Sequence, residues 1–180
     1  MAETLTVIST RSTTRAYKEE TLTKDQQRIL IEAGLKAPTA RNEQEIHISM
    51  VRRGTPILDE IQEKLHPDSK KLQKDRNANN FYYDAPVVFI LSGPDSFRWS
   101  AVDAGIAVEN MHLAATDMGL GSVIIGCIDG VVNGDNKEYY SKKLAIPKGN
   151  SFQIALAVGH PNMTKEPHTI DYFKNVSLAE

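Results

Sequence analysis

Between Ser100 and Met118 the chain carries an apolar pattern that fits a helix but not a surface helix. Ala104, Ile106, Ala107, Val108, Met111, Leu113, Ala114, Ala115 and Met118 together cover most of a helical circumference. A helix at a protein surface shows one apolar stripe, so this one needs cover on several sides. Ala101, Ala104, Ala107, Ala114 and Ala115 allow close approach of whatever covers it. Two arrangements satisfy the pattern: a central helix inside one subunit, or a helix with one face closed by a second subunit. The pattern alone leaves both open. With 180 residues, 41% of them hydrophobic, the chain is long enough for one domain, 1–180, with a substantial core around that helix.

Four apolar stretches read as strands: Ile46 to Val51, Pro86 to Leu91, Ser122 to Ile128 and Phe152 to Val158. Thr23 with Gln26 forms a capping-box pattern that opens a helix towards Ala37. Pro38 stops it, because proline disfavours helix at the preceding residue. A second helix is expected over roughly Ile57 to Lys64, and Gly119 is placed to cap the long helix. The links between strands vary too much for a regular βαβ series, so the expected fold is α+β, a mixed central sheet flanked by helices. The segment from Pro161 to Glu180 is polar and irregular, with Tyr172, Phe173 and Val176 as apolar anchors that a neighbour could receive.

Bulk properties narrow the function. A formal charge of −2 offers no general basic field, which argues against nucleic acid as the main partner. Any anionic ligand therefore needs a local cluster of cations. Cys127 is the one cysteine, so neither an intrachain disulfide nor a cysteine-based zinc site is expected, and Cys127 itself reads as a small buried thiol. The five histidines show no metal-ligand spacing, and His112 on the apolar helix reads as a hydrogen-bonded core histidine. The first residues, Met1-Ala2-Glu3-Thr4, lack a signal-peptide pattern, and no apolar run reaches transmembrane length. The expected setting is cytoplasmic, with no membrane partner.

Three clusters could carry chemistry. Arg11-Ser12-Thr13-Thr14-Arg15 sets two guanidinium groups around three hydroxyls, which suits a terminal phosphate monoester. Ala37 to Gln44 offers small residues that admit a flat ring, with the amides of Asn42 and Gln44 to match the edge of a heterocycle. Gly119 to Cys127 ends a strand on Gly126, where backbone can approach a ligand closely. Taken singly, the first two are better read as ordinary loops. None is a dinucleotide fingerprint or a Walker loop. Asp68 to Asn80, with Lys70, Lys71, Lys74 and Arg76, reads as a solvated or mobile face.

In order along the chain, these clusters resemble the nitroreductase family. The matching segments are Arg11 to Arg15, Ala37 to Gln44, Asp84 to Val88, Ala107 to Ala115 with Glu109-Asn110, Gly119 to Gly126, and Gly159-His160-Pro161. The resemblance implies an intertwined homodimer that binds FMN at its interface and takes electrons from NAD(P)H. It implies that Arg11, Ser12, Thr13 and Arg15 meet the ribityl phosphate or the pyrimidine side of the flavin, and that Pro38, Thr39, Ala40 and Asn42 come from the other subunit. It further implies that Ile124 and Ile125 back the ring, that the Gly126 N–H points at flavin N5, and that Lys165, with His168, completes the phosphate grip. The acceptor is then a small oxidised molecule such as a nitroaromatic or quinone, reduced by a ping-pong mechanism with no catalytic side chain assigned. A non-enzymatic FMN-binding or sensing protein, or other flavin chemistry, is the alternative. The chain departs from the family pattern at Glu45-Ile46, where Pro-Trp is common, at Arg41 in place of a glycine, at Ile125 in place of an aromatic residue, and in the reduced cation pair Lys165 and His168.

Overall fold

The computed structural model describes residues 3–66 and 80–179; the 67–79 part of the lysine-rich segment lies outside them. In chain order the elements are α1 (Glu3–Thr10), α2 (Lys24–Leu35), a 3₁₀ turn (Ala40–Asn42), β1 (His47–Arg52), α3 (Pro56–Leu65), β2 (Val87–Pro94), α4 (Ser100–Asp117), β3 (Gly121–Ile125), α5 (Asp129–Val132), α6 (Lys137–Lys143), β4 (Asn150–Gly159) and α7 (Tyr172–Asn175). The strands form one antiparallel sheet in the order β1-β2-β4-β3. Its parallel component is an isolated bridge from Thr13 to Ser122. The fold is α+β.

Side-chain alternation along β2 divides the core in two. Val88 and Ile90 face a cluster with α3, α5 and α6, while Val87, Phe89 and Leu91 face a cluster with α2 and α4. On β4 the parity changes at a bulge opposite Leu91 and Ser92. Leu156 and Val158 face the α4 side, yet Phe152 lies in the other cluster. One extra residue turns the strand over and brings a phenyl ring into the α3 side.

The helix boundaries follow local chemistry. Both halves of the Thr23–Gln26 capping box form. The φ of +69° at Gly119, just past α4, is the left-handed conformation expected of a helix-ending glycine. A Cβ on Gly34 would lie 2.7 Å from Ile48 Cδ1 and 2.9 Å from Met111 Sδ, so α2 packs tightly on α4 only because that side chain is missing.

Within one subunit α4 is covered on one side. Asp103, Ala104, Ala107, Val108, Met111, His112 and Ala115 are buried, whereas Ala101, Val102, Gly105 and Ile106 are exposed. Three other expectations need correction. The third strand stops at Ile125, and Ile128 becomes the cap of α5. Cys127, carried out of the strand with Gly126, is exposed rather than buried. Tyr172, Phe173 and Val176 are exposed, so they anchor nothing within their own subunit. No helix among the described residues is long and apolar enough to cross a membrane.

Candidate functional site

The segment after α1 runs along the outer edge of β3. Thr14 N donates to Ser122 O at 3.0 Å, Lys18 N to His160 O at 2.9 Å, and Asn162 N to Ala16 O at 2.9 Å. Two glycines paired across the sheet, Gly121 and Gly159, make this docking possible. A Cβ on Gly121 would fall 2.6 Å from Thr14 Oγ1, and one on Gly159 would fall 2.9 Å from Tyr17 Cδ1. The Tyr17 hydroxyl donates to Thr14 O at 2.8 Å, and burial, then Tyr83, pushes its phenol above the ordinary range. The Arg11–Arg15 segment is therefore tied down by backbone bonds to the β3 edge and by the half-buried Tyr17 ring that follows it.

Behind this segment lies a charged group on α4. Arg11 Nε is 3.8 Å from Glu109 Oε1, and His112 Nδ1 is 3.9 Å from Glu109 Oε2. His112 is 1% exposed, and neither ring nitrogen has a hydrogen-bond partner although the ring lies against the Ser12 backbone. The expected hydrogen-bonded core histidine is thus buried but unpaired. Burial, then the Arg11 charge, lowers its pKa to about 4. The Ser122 hydroxyl, opposite Thr13, is also buried without a partner. Arg15 is exposed, with its guanidinium carbon 5.8 Å from the Tyr83 ring centroid. It opens onto a cavity of about 420 Å³ shared with Tyr17, Arg53 and Tyr83.

The second cluster, residues 37–44, is a strained loop at the N-terminal end of α4. Arg41, Asn42 and Gln44 have φ values of +58°, +57° and +53°, in the left-handed region that non-glycine residues seldom adopt. Asp103 in the first turn of α4 accepts from Ala40 N at 2.9 Å, and Thr39 Oγ1 accepts from Gln44 N at 2.9 Å. Pro38 and Asn42 are exposed, Thr39 and Ala40 half-buried. The Glu45 carboxyl oxygens are buried beside Asp103. Burial, and then the neighbouring Asp103 carboxyl, pushes Glu45 upward. Glu45 therefore holds its proton to a higher pH than an ordinary carboxyl does.

At the end of β3, Ile124 is 40% exposed and Ile125 3%. Successive strand residues face opposite ways, so Ile125 belongs to the α3-side core and cannot offer its side chain to a ring beside Ile124. A Cβ on Gly126 would meet only Ile154 Cδ1, at an ordinary 3.6 Å, so nothing in this chain demands a glycine there. Lys165 and His168 are exposed. The structure thus gathers Arg11, Ser12 and Thr13 at the β3 edge and sets Pro38, Thr39, Ala40 and Asn42 in a separate loop. Sequence reasoning did not single out Asp103, Glu45 or Glu109 as parts of these clusters. A usable signal existed for Glu109 and His112: polar residues three apart interrupt an otherwise apolar helix.

A four-stranded antiparallel sheet, an edge-docked arginine segment and a strained loop beside a half-covered apolar helix describe a recurring class of redox enzyme scaffold. A nitroreductase with bound FMN from Bacteroides fragilis NCTC 9343 matches with a TM-score of 0.84 at 26% identity, covering 100% of both chains. Another with bound FMN, from Desulfitobacterium hafniense DCB-2, matches at 0.85 and 26%, again over 100% of both. The FMN reductase [NAD(P)H] of Bacillus subtilis (strain 168) is 28% identical over 176 residues, which span 89% of this chain and 67% of that protein. The chain belongs to the nitroreductase family, whose sequence model matches residues 8–160. It is an oxidoreductase.

Proposed function

We propose that the chain is an FMN-dependent oxidoreductase that acts as a homodimer, taking electrons from NAD(P)H and delivering them to a small oxidised acceptor, such as a nitroaromatic or a quinone, in a ping-pong cycle. The observation that carries this reading is the Arg11–Thr13 segment pinned to the edge of β3, the strand that ends in exposed Ile124 and Gly126. The resident groups fit a phosphorylated flat ring. Because Arg11 Nε faces Glu109, its two terminal nitrogens are left for a phosphate, with the Ser12 and Thr13 hydroxyls beside them. Ile124 offers an apolar surface to a ring, and Gly126 lets a ring edge come close to backbone.

When bound, FMN would supply the hydride-accepting and electron-donating chemistry. The chain's own part is to hold, orient and polarise. Arg15 has no ion-pair partner among the described residues and would place a positive charge beside the pyrimidine side of the ring. The second subunit is called for by the exposed apolar residues Leu5 and Ile8 on α1 and Trp99, Val102 and Ile106 at α4. It would bring the Pro38, Thr39, Ala40 and Asn42 loop to the other subunit's flavin, and Lys165 with His168 would add cations from the tail. Solvent can supply protons, so no side chain is assigned an acid–base role.

The visible spectrum of the purified protein tests this reading: flavin bands are expected, and they should bleach when NADH or NADPH is added without oxygen. Arg11→Ala should weaken FMN binding by roughly 30- to 100-fold, the worth of a charge-assisted hydrogen-bond pair, and leave riboflavin binding nearly unchanged. A colourless protein that takes up no flavin on reconstitution would remove the reading altogether.

A further inference from the structure

We propose that Glu109 and His112 form a proton-linked positioning pair behind Arg11: when a phosphate monoester takes over the Arg11 guanidinium, a proton enters His112 and Glu109 turns its charge contact from Arg11 to the imidazolium. This rests on the placement of the FMN phosphate at Arg11 given above. It adds two residues that touch neither the ring nor the phosphate and act through the arginine.

The geometry carries the argument. One carboxylate serves two cations-to-be, with Oε1 at 3.8 Å from Arg11 Nε and Oε2 at 3.9 Å from His112 Nδ1. Both distances are too long for a hydrogen bond, so Glu109 sits between its neighbours without committing to either. His112 is almost fully buried, and both its nitrogens lack partners. One proton and one small carboxylate movement would give Nδ1 a charged partner, with the Ser12 backbone the other polar group against the ring. Glu109 is half-exposed, so solvent reaches the carboxylate beside the ring.

Charge accounting gives the direction. Among the described residues, the charged groups facing His112 are Arg11, from the edge segment, and Glu109, from its own helix. Without a ligand, Arg11 and burial both oppose a second positive charge at His112. A bound phosphate offsets the Arg11 charge and leaves Glu109 in need of a cation, so the imidazolium becomes favourable. The affinity for phosphate thus gains a component that is fully present below the ligand-free titration point of about 4 and is lost as pH rises through the higher point of the loaded form.

Calorimetric titration of flavin-depleted full-length protein with FMN near pH 6, repeated in buffers of different ionisation heat, measures the proton directly. Wild-type protein should take up about half a proton more than His112→Gln or Glu109→Gln. Its FMN dissociation constant should rise more steeply between pH 5.5 and 7.5 than that of either variant, by about fourfold across the range. The phosphate's own ionisation cancels in that comparison, and riboflavin, which has no phosphate, should bind all three proteins without the difference. Glu109→Gln, at a half-exposed position, keeps the test open if the buried variant misfolds. Wild-type protein that fails to bind FMN at all overturns the functional reading, whereas FMN bound with equal proton uptake and equal pH slopes in all three overturns the Glu109–His112 pair alone.

Discussion

The two faces of the sheet are built on different principles. The face against α3, α5 and α6 is closed within one chain: Leu58, Ile61, Val88, Ile90, Ile128 and Phe152 are all at or near zero exposure. The α4 face has an equally dry floor in Phe89, Met111 and Leu156, but the outer side of its covering helix is bare. Apart from Ile125, whose side chain faces the closed layer, the residues singled out as binding candidates outside the tail lie on or beside this second face or along the edge it shares. One face is closed, and the other keeps a bare helix side, with exposed Val102 and Ile106, and the buried, unpartnered His112 ring. Stability and binding are thus held in separate layers, which lets the second layer tolerate local cost.

The largest effect should fall on the closed face. Phe152 is 1% exposed, and the backbone at its position is held by Asn133, whose Nδ2 donates to Phe152 O at 2.8 Å. Phe152→Ala would leave a ring-sized cavity and should cost about 3–5 kcal/mol in urea unfolding. A loss below about 1 kcal/mol would mean that this face is not the stabilising one, and the contrast would fail.

Next comes the bare side of α4. Ile106 is 38% exposed in one subunit. Ile106→Asp should barely disturb a free surface, within about 0.5 kcal/mol. If a second copy covers it, an unpaired carboxylate enters that contact at about 3 kcal/mol, on the order of a hundredfold in dissociation constant. Analytical ultracentrifugation would then show monomers with native far-UV dichroism. Unchanged association would place the subunit contact elsewhere.

Much of the framework of both layers was legible in the sequence, because it depends on short-range signals. The apolar runs of β1 and β2, the Thr23–Gln26 box and the Gly119 cap all follow from neighbours within a few residues. The bulge opposite Leu91 and Ser92 was not legible, since it arises from pairing two distant strands and alone accounts for the side on which Phe152 sits. Ile125 shows the same limit: strand membership was readable, but not which parity faced the core. In the open layer, Arg11 to Arg15 stood out by composition. Its support by Glu109 and His112 did not, because those residues lie about a hundred positions away and meet it only through the docking on β3.

The smallest expected effect asks what holds the open layer in place. Asp103 is 2% exposed and accepts from Ala40 N at 2.9 Å while lying against the Glu45 carboxyl. Asp103→Ala removes the acceptor, frees the strained 40–44 backbone and should cost about 1–2 kcal/mol. Asp103→Asn behaves differently. Its Oδ1 can still accept from Ala40 N, and its Nδ2 can donate to the Glu45 carboxylate, which removes the like-charge contact. That variant should stay within about 0.5 kcal/mol of wild type at neutral pH. It should also lose one pH response: with Glu45 pushed upward in the folded protein, the Glu45 contribution to wild-type stability is fully present below the ordinary carboxyl range and is lost as pH rises through the raised value. Urea midpoints from pH 4 to 8 for the three proteins separate these cases. If alanine and asparagine were equally harmful, the loop would owe its shape to packing around Asp103 rather than to the bond it accepts, and the open face would be built more like the closed one than the contrast allows.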